Sequence, residues 1–363
     1  MLCVSALSAC FHEIETPEPV IDHPPLSLQA NFEELQKTDE ALTMTAESSK
    51  QLLSDVIYHF MNSAETANQM ADVVAVSDYF QPVKFNVSNA VYVENASTKF
   101  CKKVDDETAN VEASIWDDRD NSQTVSAGDI WYYRLQNCQS EINSAIVTGL
   151  IKQEGIADQF LPDANDIVNF EHYIYTLDMQ IDPQNGNIAY LKNTRLDYSR
   201  FNEVNTTMSI SPNSLMGVVH NDTQAETETA YLFEFRSGNV EQDDDNDTLT
   251  VSFAARYYQT DTGYVDVIAD GLVFDYSYKT SDSVTWAENN PFETISLSAG
   301  TLTINTENET AILEVDSDST KISTTFNNDS ATTETADQVV YFRTSLDVDN
   351  QASSTFSLVN ISD

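Results

Sequence analysis

The chain has 363 residues and carries 59 Asp+Glu against 17 Lys+Arg, a formal net charge of −42. That excess of carboxylates excludes a nucleic-acid binder and disfavours anionic lipid surfaces, because phosphate would be repelled over most of the molecule. Hydrophobic residues at 41%, aromatics at 10%, and only nine Gly and nine Pro exclude the disordered and fibrous classes and leave material for a packed core.

The first ten residues read MLCVSALSAC, and Leu7-Ser8-Ala9-Cys10 resembles the lipobox of bacterial lipoproteins, where lipid is attached to the cysteine and the segment before it is removed. The resemblance implies that residues 1–9 are a signal remnant, that Cys10 is the lipid-attachment site and that Cys3 is discarded. The basic flank and the about 7–15-residue apolar run of a secretory signal are missing. A start codon placed too far downstream would explain both departures. Phe11, not Asp, follows the cysteine, which in enterobacterial lipoproteins implies sorting to the outer membrane. The expected location is therefore the cell envelope, on an outer-membrane lipid anchor facing the periplasm or the cell surface.

Residues 10–30 contain Pro17, Pro19, Pro24 and Pro25 with little periodic apolar pattern, and read as an extended tether. Residues 31–78 read as a helical segment. Leu53, Val56, Ile57, Phe60, Met61, Ala64, Ala67, Ala71 and Val74 recur at the three-and-four spacing of one helix face, and a stripe of this kind is expected to pack against the rest of the chain. No run approaches the ~20 apolar residues of a membrane-spanning helix.

From residue 79 to 363 the period becomes two. Tyr173, Tyr175, Leu177, Met179 and Ile181 alternate with Thr176, Asp178, Gln180 and Asp182. Leu249, Val251, Phe253, Ala255 and Tyr257 do the same, as do Leu272, Phe274, Tyr276 and Tyr278, and more briefly Leu302 and Ile304. These are antiparallel strands with one buried and one wet face, separated by turn signals such as Asp182-Pro183-Gln184-Asn185-Gly186 and Asp261-Thr262-Gly263. Asp197-Tyr198-Ser199 recurs as Asp275-Tyr276-Ser277, and Glu228-Thr229-Ala230 as Glu309-Thr310-Ala311, at nearly equal spacing, which suggests a duplicated meander. The expected fold is mainly β: a large curved antiparallel sheet of about a dozen strands around the helical segment, with a β-sandwich as the alternative. A membrane β-barrel also alternates in this way, but the tether, the lipobox and the charge argue against it.

Two features inside the β region carry possible chemistry. Asp118-Arg119-Asp120-Asn121-Ser122 and onward to Asp129 places oxygen-bearing side chains at the spacing of a calcium-binding EF loop, with Asp118, Asp120, Ser122 and Asp129 as candidate ligands. Gln123 stands where the sharp turn wants Gly, and a strand-like run follows, so a solvated hairpin loop competes with calcium. Cys101 and Cys138 remain after processing as an even pair in an oxidising compartment and are expected to form a disulfide, worth ~4 kcal/mol in the chain-entropy model. Two unpaired, buried cysteines are the alternative. The cysteine pair enclosing this Asp-rich stretch and Ser126-Ala127-Gly128-Asp129, followed by hairpins and Gly300-Thr301-Leu302-Thr303-Ile304, is similar to uncharacterised gammaproteobacterial lipoproteins. That resemblance implies an envelope protein and transfers no catalytic residue.

No GxSxG, GxxxxGK[ST], HExxH or GxGxxG occurs, and His12, His23, His59, His172 and His220 are scattered. The expected function is that of a non-enzymatic, lipid-anchored platform for envelope proteins, with no cofactor beyond a possible calcium ion. The alternative is a carrier holding a lipid or other apolar ligand in a concave face lined by Tyr173, Tyr175, Phe253, Tyr257, Phe274 and Tyr276.

Overall fold

The computed structural model describes residues 40–75, 91–93, 110–117, 128, 130–139, 146–155, 170–182, 187–201, 205–222, 227–243, 245–260, 262–278, 292–315, 321–327 and 332–335. Among these residues one helix and fifteen strands form, all the strands in one antiparallel sheet. No described helix is long and apolar enough to cross a membrane.

Helix α1 (Ala46–Ala75) begins where a local cap forces it to. The Thr45 hydroxyl accepts from the Ser48 amide at 3.1 Å, while the Ser48 hydroxyl accepts from the Thr45 amide at 2.9 Å. These reciprocal bonds satisfy two amides that have no intrahelical partner. Residues 40–45, inside the stretch expected to be helical, are therefore not helix, and Ala41 instead bridges Tyr264 in parallel. Beyond the cap, Leu53, Val56, Ile57 and Phe60 are no more than 2% exposed. Burial of each contributes about 1.5–3 kcal/mol.

The strands are β1 (Val91–Val93), β2 (Asn110–Asp117), β3 (Ile130–Gln139), β4 (Ile146–Gly155), β5 (Phe170–Asp182), β6 (Asn187–Phe201), β7 (Asn205–Ile210), β8 (Leu215–Asp222), β9 (Thr227–Asp243), β10 (Thr248–Gln259), β11 (Gly263–Tyr278), β12 (Phe292–Asn305), β13 (Thr310–Val315), β14 (Lys321–Phe326) and β15 (Thr332–Thr335). Their order in the sheet is their order in the chain. β7 and β8 share one place: β8 pairs with the first half of β6 and β7 with the second, and both pair in the same way with β9. They are one long strand interrupted at Ser211-Pro212-Asn213-Ser214.

That interruption belongs to a line of irregularities crossing the sheet. Register shifts fall at Val111/Ala113 in β2, Leu135/Cys138 in β3, Leu177/Met179 in β5, Ala254/Ala255 and Val251/Phe253 in β10, and Asp270/Val273 in β11. Apart from the β4–β5 ladder, which is unbroken, the shifts fall at neighbouring places on successive strands, so the bulges form a seam. A bulge bends its strand and increases its twist, and a row of them creases the whole sheet. At the seam, Thr194 and Ser214 are fully buried, and their hydroxyls bond the Leu215 carbonyl at 2.8 Å and the Arg195 amide at 3.1 Å.

On the inner face α1 packs against β6 and β8 and also against β13 and β14. β6 and β13 are six places apart, ~29 Å in a flat sheet at ~4.8 Å per strand. A helix ~10 Å across lies against both strands only where the sheet curls or the helix runs across it. One hydrophobic core results, running from Val147 and Ile151 of β4 to Leu313 and Val315 of β13 and including the buried face of α1.

Candidate functional site

Among the described residues, aromatic and titratable groups gather where α1 meets β9 and β10. Phe60 inserts among Phe233, Phe235 and Phe253, stacking on Phe253 and meeting the other two edge-on at 6.1 Å between ring centroids. His59, its neighbour on α1, stacks face to face on Tyr231, with centroids 3.7 Å apart and planes 8° from parallel. His59 Nδ1 lies 2.8 Å from the Tyr257 hydroxyl. With the proton on Nε2, Nδ1 accepts that hydroxyl's hydrogen.

The electrostatics follow from packing. Although an edge of His59 remains accessible, the atoms around the ring strip away its water, and burial pushes its pKa down to about 3. Burial also raises the Tyr257 hydroxyl well above its ordinary value, with the Asp55 and Tyr231 charges adding to the effect. Asp55, one turn before His59, is itself held above the usual carboxylate range by burial, against a lowering hydrogen bond from Gln51. Near neutral pH the interface thus holds an uncharged imidazole and an un-ionised phenol, each serving as the other's polar partner.

The opposite face is polar and also ordered. Asp266 of β11 receives Arg256 Nε at 2.9 Å and Arg236 Nη2 at 2.7 Å, and the Arg256 guanidinium lies 4.1 Å over the Tyr264 ring. The Tyr258 hydroxyl donates to Glu234 at 2.9 Å. Tyr190, Val219, Leu232 and Tyr258 form a small second apolar cluster on this face. Further along, His172 Nε2 meets Asp197 Oδ1 at 2.7 Å across β5 and β6. Both partners are partly exposed, and a pair of this kind contributes at most ~1 kcal/mol.

Of the residues singled out from sequence, Cys10, Cys101, Asp118, Asp120, Ser122 and Asp129 lie outside the described residues, as do His12 and His23. Gly128, within the acidic loop, is described: its φ is 90°, and its amide donates to the Gly155 carbonyl at 2.6 Å. Cys138 pairs in β3 with Val147 of β4, and His220 pairs in β8 with Asn187 of β6. Among the described residues no group of three or more His, Cys, Asp or Glu is gathered as metal ligands. Tyr173, Tyr175, Phe253, Tyr257 and Phe274 all face inward and are buried. His59 is the residue that sequence reasoning passed over. Its signal was its place beside Val56 and Phe60, on the flank of the apolar stripe. Comparison with protein-family models, with curated proteins and with solved structures finds no match to this chain.

Proposed function

We propose that this protein is a lipid-anchored component of the bacterial cell envelope whose curved sheet acts as a non-enzymatic structural or interaction platform. The observation that carries this reading is the seating of α1. Leu53, Val56, Ile57 and Phe60 occupy the inner face, which leaves the outer, polar face of the sheet for partners. Cys10 and the proline-bearing tether supply the anchor. Carriage of a lipid on the inner face would need the room that Phe60 fills over β9 and β10.

Two measurements test the reading. Radioactive palmitate is expected in the wild-type chain and not in Cys10→Ser; equal incorporation removes the anchor. Crosslinking in intact envelopes followed by purification of the chain is expected to recover a reproducible envelope protein. A lipid mass retained by the Cys10→Ser protein in native mass spectrometry would instead favour the carrier.

A further inference from the structure

We propose that α1 is an acid-releasable lid over the inner face of the sheet, with His59 as its latch. The inference starts from where His59 sits. Beside the buried hydroxyls of Ser49 and Ser54, it is the imidazole of the α1 face turned to the sheet, clasped between the ring of Tyr231 on β9 and the hydroxyl of Tyr257 on β10. Breaking that clasp opens the helix–sheet contact at its aromatic centre, next to the Phe60 stack.

Among the described residues no strand pairing of the sheet runs through α1, so its release breaks no ladder bond. Its N-terminal approach is fastened separately: the Leu42 amide donates to the Tyr264 carbonyl at 2.9 Å, and the Tyr264 amide donates to the Glu40 carbonyl at 3.1 Å. These bonds belong to the rim of β11 and involve no residue of α1. The segment between them and the Thr45 cap is short and non-helical, with Met44 held in the core.

Protonation provides the trigger. The titratable groups facing His59 are Tyr257 from β10, Tyr231 from β9 and Tyr58 from its own helix, with Asp55 one turn away. The Tyr257 phenol, its pKa raised by burial, carries no charge in acid, and Asp55, held above the ordinary carboxylate range, takes up its proton early as the pH falls. An imidazolium in the clasp is thus left without its water and with no charge partner that offsets the loss, while the raised Asp55 carboxyl, by its own linkage, opposes part of the release. In the released helix the same imidazole is in water and holds its proton with ordinary affinity. Linkage then favours release by up to about tenfold for each pH unit below ~6.5, or about 100-fold at pH 4.5.

The test is amide hydrogen exchange, corrected for intrinsic pH dependence, on the full chain carrying Cys10→Ser. Between pH 7.5 and 4.5, protection of residues 46–60 is expected to fall about 100-fold relative to β10 and β11. In His59→Phe, which keeps a ring on Tyr231 but cannot titrate, that relative fall should vanish. The proposal is overturned if α1 stays protected at pH 4.5, if α1 and the strands lose protection together, or if His59→Phe behaves as wild type. Should His59→Phe not fold, Tyr257→Phe serves: loss of the hydroxyl must move release to higher pH, and an unmoved midpoint overturns the lid.

Discussion

Phe60 of α1 lies flat on Phe253 of β10, ring centroids 4.1 Å apart and planes 9° from parallel. The contact joins the helix to the centre of the sheet, and Phe60 is 1% exposed. Phe60→Ala removes the stack and leaves a cavity among Phe233, Phe235 and Phe253, and is expected to cost about 3–5 kcal/mol. Urea unfolding measures this. A loss under about 1 kcal/mol would mean that α1 is not part of the cooperative unit.

The seam predicts an asymmetry between two glycines. Gly300 (φ 105°) faces the Gly271 backbone so closely that a Cβ would overlap the Gly271 carbonyl, whereas Gly271 (φ 56°) has open space where its own Cβ would be. Gly300→Ala is therefore expected to destabilise by about 1–3 kcal/mol or more, while Gly271→Asn, placing a residue that tolerates this conformation, should stay within about 1 kcal/mol of wild type. Thermal unfolding of the two variants side by side checks the ordering.

The cap at the start of α1 sets a smaller effect. Thr45→Ala removes the hydroxyl that accepts from the Ser48 amide and is expected to cost ~1 kcal/mol, with Thr45→Ser close to neutral. Equal losses in both would locate the effect in packing of the threonine methyl.

Stability should depend on pH through the same interface. His59, its folded pKa lowered to about 3 from 6.5, contributes stability that is complete above ~6.5 and is lost progressively as the pH falls toward 3. Tyr257, with a raised pKa, contributes stability that is complete below ~10 and is lost as the pH climbs beyond it. Asp55, also raised, works against His59 in acid, and it makes Asp55→Asn neutral or stabilising at pH 7. The expected profile is a plateau from about pH 6.5 to 10, falling on both sides by up to ~1.4 kcal/mol per unit. In His59→Phe the acid shoulder should flatten in chemical denaturation series, and its persistence unchanged would assign it to other groups.

Which strands could be read from sequence follows from the seam. β5 and β10 keep one parity throughout: Tyr173 to Ile181 and Val251 to Tyr257 all face inward on odd numbers. These were the strands whose alternation was plain. β11 faces Val265, Val267 and Ala269 inward, then switches at Gly271 to Leu272 and Phe274, and only its second half was legible. β6 switches from Leu191 to Leu196, and β9 from Phe235 to Val240, so a period-two search loses both at mid-strand. The suspected duplication fares similarly. Its two tripeptide pairs are each four places apart in the sheet, yet Ala230 belongs to the outer cluster and Ala311 to the inner core. The single sheet with its helix was legible because one apolar face per strand needs one cover. The His59 clasp was not, because a histidine on a helix shows its partners only once distant strands are in place.

Because sheet order repeats chain order throughout the described residues, no strand has to wait for a distant segment before it can dock. Each hairpin offers an edge to the next strand as it arrives, and the loop to be closed is never longer than one connection. Closure entropy grows with loop length, and non-local pairings are what make β proteins slow to fold. An unusually wide sheet can therefore assemble by stepwise zippering, with the seam as the one place where each added strand must be set into a fixed, non-repeating register before the next can follow.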